Sequence, residues 1–275
     1  MPGVSDALSV SPLFSFSSIS EIRSVLPFIE QAPLHDQLTP GRFRLSDAIT
    51  AGSPVDRVAL LQTPLGTFRC PSDTGPEVNN RGNQLRNISD ENVPAALSNY
   101  IGNNASNRWH GGGRLISPTA GGSSQWGGFP TTIEGGSVPN GIFWRESNVR
   151  FAQITDGTSN TILLGERAWN LNAQTGTVNC NAGLIYGTNS QNEQLTIRGV
   201  LGTGTVPINS GVGNDCQYGY SSRHPGGIQV ALCDGSIRFI SETIDHRPGP
   251  DALRAVQSTF ERLLSRDDGQ PIGDF

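Results

Sequence analysis

Residues 228–241 read IQVALC-DG-SIRFIS, two alternating apolar runs separated by Asp234-Gly235. This is the strongest short-range hairpin signal a sequence carries, because Asp-Gly suits the positive φ angles of a tight turn. The pattern predicts positive φ at both turn residues. It places Ile228, Val230 and Leu232 on one face, and draws Ile237, Phe239 and Ile240 into the opposing apolar surface.

The segment leading in, SSRHPGG, holds His224 before a proline and therefore extended, with Gly226-Gly227 allowing a sharp reversal into the strand. A histidine and an aspartate ten positions apart invite a catalytic or metal-binding reading. One hairpin strand separates them by about 20 Å at ~3.3 Å per residue, so they cannot form a direct dyad. The favoured reading is architectural: His224 a hydrogen-bonded residue at the strand entrance, Asp234 a turn residue.

The rest of the chain is punctuated like a turn-rich β protein. Of 275 residues 34 are glycine and 16% are charged, well below the usual quarter. Net charge is −5 and no basic cluster is visible, which disfavours nucleic-acid binding. All 19 basic residues are arginine. Lysine chemistry is thereby excluded, from Schiff bases to phosphate-loop lysines. The four cysteines (70, 180, 216, 233) form no C-x-x-C pair. In an exported chain Cys180 and Cys216, both in polar surroundings, are the expected disulfide; Cys233 reads equally as a small buried hydrophobe.

Along the chain, apolar residues at Ile19, Ile22, Val25, Leu26, Phe28 and Ile29 predict an N-terminal helical segment broken at Pro27 and resuming toward Leu38. A short helical or extended stretch begins at Val55, followed by a strand-like LGTFRC (65–70). Residues 74–141 and 171–220 read as loop-rich insertions. The alternation of SNVRFAQIT (147–155) predicts a strand, and TILLGERAW (161–169) predicts another. DALRAVQSTFERLLSR (251–266) is an amphipathic helix with Leu253, Val256, Phe260, Leu263 and Leu264 on the face that packs on the sheet. Glu166 and Arg238 are charges within apolar strands; a buried pair and two solvent-facing positions are both open. The expected architecture is one α+β domain over residues 1–275, with an antiparallel sheet and long loop insertions.

SSRHPGGIQVALCDGSIRFISETID resembles the family of exported bacterial proteins named for its H-x9-DG motif, keeping His224, nine residues and Asp234-Gly235. DGTSNTILLGER (156–167) is similar to that family's second signature and FRCPSD (68–73) to its third, with weaker likenesses in LPFIEQAPLHDQL and SNYIGN. The resemblance marks Cys70, Pro71, Asp73, Asp156, Gly157, Asn160, Glu166, His224, Asp234 and Gly235 as motif residues with structural roles. It implies a pseudopilin-like, non-catalytic subunit or surface domain of the type IV pilin or type II secretion kind. Its partners would be other pilin-like subunits or an assembly machinery. The chain is then an ectodomain, exported to the periplasm or cell surface and anchored in full-length form by an N-terminal helix outside it.

Other site readings are narrower. No cofactor is expected, calcium at oxygen-rich loops being the alternative, with Asp156 and Asp215 the first candidates and Asp73 and Asp234 behind them. A folded cluster of His110, His224 and an aspartate is a further metal reading. The alternative function is an exported solute- or carbohydrate-binding domain, with Trp109, Trp126 and Trp144 lining the ligand surface.

Overall fold

The computed structural model describes residues 25–38, 48–50, 52, 56–81, 85, 87, 91–106, 139–144, 147, 149–174, 176–188, 198–247, 256–273 and 275. Trp109, Trp126, His110, Leu253 and the N-terminal Ile19 and Ile22 lie outside them. Ten strands are β1 (Val78–Asn79), β2 (Ala95–Ser98), β3 (Tyr100–Ala105), β4 (Ile162–Glu166), β5 (Asn170–Ala173), β6 (Gly176–Asn179), β7 (Gly183–Leu184), β8 (Leu201–Thr203), β9 (Gly227–Leu232) and β10 (Ile237–Ser241). Three short helices among the described residues are α1 (Ala32–Leu38), α2 (Val58–Leu61) and α3 (Thr259–Leu264).

The strands form a five-stranded sheet ordered β10-β9-β4-β3-β8, a three-stranded sheet β1-β2-β7 and the hairpin β5-β6. The large sheet is mixed rather than antiparallel, because β3 pairs with β8 in parallel. The protein is therefore a mixed α/β structure, rich in strands and poor in helix. Among the described residues the two expected loop-rich regions also hold strands: 74–141 contains β1, β2 and the inner strand β3, and 171–220 contains most of β5 and all of β6 to β8. Buried Asn99, Asn103, Asn104 and Ser106 had disguised β3 as loop. They are tolerated in the interior because they are hydrogen-bonded; Asn103 Nδ2, for example, donates to the carbonyls of Ile162 (2.8 Å) and Leu264 (2.9 Å).

The β9–β10 hairpin forms with Ile237 opposite Ala231 and Ile240 opposite Ile228. Ile228, Val230 and Leu232 are buried as the alternation requires, each worth about 2 kcal/mol of apolar burial. The turn itself differs from expectation. Gly235 has φ 86° but Asp234 does not enter the positive region. Gly235 N–H donates to the Leu232 carbonyl and Leu232 N–H to that of Ser236, enclosing a three-residue loop, Cys233-Asp234-Gly235, with glycine alone left-handed. Ile237 and Phe239 are exposed, at 64% and 45%, because they sit on the outer face of an edge strand; only Ile240 joins the core.

Elsewhere, LGTFRC is a 3-10 turn at Gly66–Phe68 rather than a strand, and Phe151–Gln153 is another in place of the second predicted strand. Phe151 is 75% exposed. At the N-terminus a 3-10 turn covers Leu26–Ile29 with Pro27 inside its start, so the break falls instead at Glu30, whose φ is 62°. Helix α3 is shorter than predicted, beginning after Ser258, whose N–H bonds to Glu261 Oε2 (3.1 Å). It packs on the large sheet through the fully buried Phe260, Leu263 and Leu264.

Candidate functional site

Four segments distant in sequence meet at one end of the large sheet. Cys70 follows the 3-10 turn Gly66–Phe68 and opens a turn closed by Asp73 N–H on its carbonyl (3.0 Å). Asn99 stands where the chain passes from β2 in one sheet to β3 in the other. Glu166 ends β4. His224 lies in the loop that enters β9, held there by Ser222, whose Oγ accepts the His224 N–H (3.0 Å) and donates to the Gly227 carbonyl (2.6 Å).

At the centre, His224 Nε2 lies 3.4 Å from Cys70 Sγ and 3.2 Å from Glu166 Oε1. Glu166 is 3% exposed and His224 30%. The other carboxylate oxygen, Glu166 Oε2, accepts the Gln229 N–H at 2.7 Å, which fixes the carboxylate against β9. Glu166 is thus neither solvent-facing nor paired with Arg238; Arg238 is exposed on β10, 5.8 Å from the Phe275 ring. Asn99 ties the ring around this centre. Its Oδ1 accepts the Cys70 N–H (3.0 Å), and its Nδ2 donates to Asp73 Oδ2 (2.8 Å) and the Arg167 carbonyl (3.1 Å). Asp73 Oδ1 in turn accepts the Trp169 N–H (3.0 Å).

Burial, above all, pushes the Cys70 thiol above its ordinary range, and the Glu166 carboxylate adds to it. Tyr100, opposite Glu166 in the β3–β4 register, is raised by burial and by the same two neighbours. The geometry differs from that of a nucleophile–base relay. In such a relay one ring nitrogen faces the nucleophile and the other the orienting acid. Here a single nitrogen, Nε2, touches both sulfur and carboxylate.

Directly after Glu166, Arg167 is fully buried, and burial lowers its guanidinium to about 9. It donates to the carbonyls of Gly219 (3.0 Å), Arg198 (2.9 Å) and Leu201 (2.6 Å). Arg167 and Asn99 are the two residues of this region that sequence reasoning passed over. The signal for both lay in the matched segments, in SNYIGN and in the last position of LGER.

The remaining motif residues build turns. Asp156 accepts N–H groups from Asp268 (2.6 Å) and Gly269 (2.9 Å), Gly157 has φ 98°, and Asn160 Nδ2 donates to the Asp156 carbonyl (3.1 Å). Asp234 Oδ1 accepts from Ser236 N–H (2.9 Å) and Oγ (2.7 Å), interactions that hold its carboxyl below the usual range. The hairpin loop docks on the 156–161 turn, Cys233 N–H on the Thr161 carbonyl and Asp234 N–H on that of Thr158. Pro71 occupies the turn after Cys70 and is exposed. Asp215 begins a 3-10 turn at Asp215–Gln217 beside Cys216, which is joined to Cys180 by a disulfide. Among the described residues, neither Asp156, Asp215, Asp73 nor Asp234 joins a cluster of three converging ligand groups; Cys70, Glu166 and His224 do.

His224 also lines a polar groove of about 330 Å³, with Asn172, Asn209, Ser222, Arg223 and Glu242 among its walls. Trp144 is no part of it. That indole is half-buried against the N-terminal core with Arg266 5.2 Å above its ring.

A family model described as a protein of unknown function, DUF1559, matches residues 10–247. The chain belongs to the DUF1559 family. The matched region of this DUF1559 protein contains every member of the hub: Cys70, Asp73, Asn99, Glu166, Arg167 and His224. No curated protein and no solved structure matches the chain.

Proposed function

We propose that this chain is a non-catalytic, exported structural domain of the type IV pilin or pseudopilin kind, whose partners are further pilin-like subunits. The observation that carries the reading is the edge strand β10. It closes one side of the five-stranded sheet and turns Ile237 and Phe239, two positions apart on one face, toward solvent. An edge strand with unpaired main-chain groups and an apolar face is a pairing surface unless it is blunted by charge or proline. β10 carries a single charge, Arg238, and no proline.

Two further features support it. The Cys180–Cys216 disulfide suits a protein that matures outside the reducing cytoplasm. The motif residues direct their polar groups at one another and at the backbone, as a frame requires. The experiment is oxidative cross-linking of variants carrying one added cysteine. Phe239→Cys is expected to give a disulfide-linked dimer in concentrated protein. Phe28→Cys, exposed on the Leu26–Ile29 turn of the other core cluster, gives none. Absence of the dimer at Phe239, or equal dimer at both positions, sinks the reading.

A further inference from the structure

Cys70, Glu166 and His224 each offer one ligand atom, and these atoms lie within 4.8 Å of one another. We infer that the three side chains bind a zinc ion, with His224 the ligand nearest to solvent.

Two of the three separations are those of a tetrahedral site. Zinc bonds of about 2.3 Å to sulfur and about 2.0 Å to nitrogen and oxygen, at tetrahedral angles, put S and N roughly 3.6 Å apart and N and O roughly 3.3 Å apart. The observed separations are 3.4 Å for Cys70 Sγ to His224 Nε2 and 3.2 Å for His224 Nε2 to Glu166 Oε1. That one imidazole nitrogen faces both partners is awkward for a hydrogen-bonded triad, since Nε2 carries at most one proton. It is what a shared metal demands of the same lone pair.

The donor set selects the ion. One thiolate, one imidazole and one carboxylate match zinc, whereas calcium requires six or more oxygens and magnesium keeps an octahedral oxygen shell. The ligands are held by outer contacts, as metal sites require. Gln229 N–H fixes the free oxygen of Glu166, Asn99 receives the Cys70 N–H, and Ser222 anchors the His224 backbone. The polar groove lined by His224 gives the ion a path from solvent to that ligand. Binding releases the thiol proton of Cys70 to solvent, with no change in oxidation state. The site also gives the unpaired Cys70 a role in a protein whose Cys180 and Cys216 are oxidised.

The test loads chelator-stripped protein, its Cys180–Cys216 disulfide intact, with cobalt(II) and then displaces it with zinc. A thiolate-to-cobalt charge-transfer band, tetrahedral d–d bands and displacement by one equivalent of zinc are expected. In C70S the charge-transfer band disappears and zinc affinity falls by more than roughly 100-fold, beyond what loss of an outer-shell partner costs. H224A should weaken binding comparably, with far-UV circular dichroism reporting whether each variant is folded. Should both variants fail to fold, the spectrum of the unaltered protein still decides, because only ligation by sulfur gives the charge-transfer band. Octahedral cobalt without that band, or zinc binding unchanged in folded C70S, overturns the inference. None of these outcomes bears on the β10 cross-links, so the two proposals stand or fall separately.

Discussion

Arg167 extends its guanidinium into the interior and grips three main-chain carbonyls that belong to separate segments, those of Gly219, Arg198 and Leu201. A planar fork can reach three acceptors in fixed directions; an ammonium cannot. Arg167→Lys is therefore expected to cost about 3 kcal/mol, seen as a fall in the urea midpoint at unchanged slope. A midpoint within error of the parent would show that the clamp is dispensable. Asp268 gives the second prediction at this scale. Burial first, and the neighbouring Asp156 carboxylate after it, raise Asp268 from 3.8 to about 6. The folded protein thus binds this proton more tightly than the unfolded chain does. The contribution is complete below about pH 4 and is lost as pH rises through about 6. Asp268→Asn, which keeps an acceptor for the Gln270 N–H, should stabilise the protein by about 1 kcal/mol near neutral pH, after discount for solvent screening. The gain should vanish near pH 4. Equal midpoint shifts at both pH values would contradict the assignment.

Among the elements, β4 and β8 carry glycines where Tyr220 lies across them. A Cβ at Gly165 would stand 2.5 Å from the Tyr220 ring, and one at Gly202 2.7 Å from it. Tyr220 is fully buried and meets Phe260 of α3 edge-on at 6.0 Å, so the ring cannot yield without moving the helix. Gly165→Ala should destabilise by about 2 kcal/mol through overpacking. Gly66→Ala, where nothing lies within 4 Å, should stay within about 0.5 kcal/mol. Matching midpoints for the two variants would rule out the seat for Tyr220. The elements differ in how much of them the sequence disclosed. β9 and β10 were legible because the alternation and Asp-Gly agree, although Gly235 alone supplies the positive φ. β4 was legible from its β-branched start. β3 was not, since a strand with asparagines buried on it carries no period-two signal, and its parallel partner β8 is only three residues long. Helix α3 was overextended because Val256 keeps the apolar spacing while Glu261 caps the helix from the position that Ser258 begins. Of the site, Cys70, Asp73, Glu166 and His224 were each visible as motif residues. Their meeting was not, because it depends on the order of strands in a sheet whose inner strand β3 was read as loop.

At the scale of the whole molecule, two core clusters sit under the two main sheets. One gathers Leu26, Leu34, Leu61 and Tyr186, the other Ile162, Ile228, Phe260 and Leu263. The chain crosses between them at Asn99, and the hub of motif residues sits at that crossing. The Cys70–His224 contact spans 154 positions, against 29 for Cys70–Asn99 and 58 for Glu166–His224. Loop closure disfavours such distant pairs early in folding, and synthesis delivers His224 long after Cys70 and Asn99. The imidazole is consequently the last member to arrive. Without it, Glu166 keeps only the Gln229 N–H as a partner, and β9 delivers that amide five residues later still. A nascent chain that stops short of residue 224 therefore leaves the buried carboxylate without either partner, and the hub closes as β9 pairs with β4.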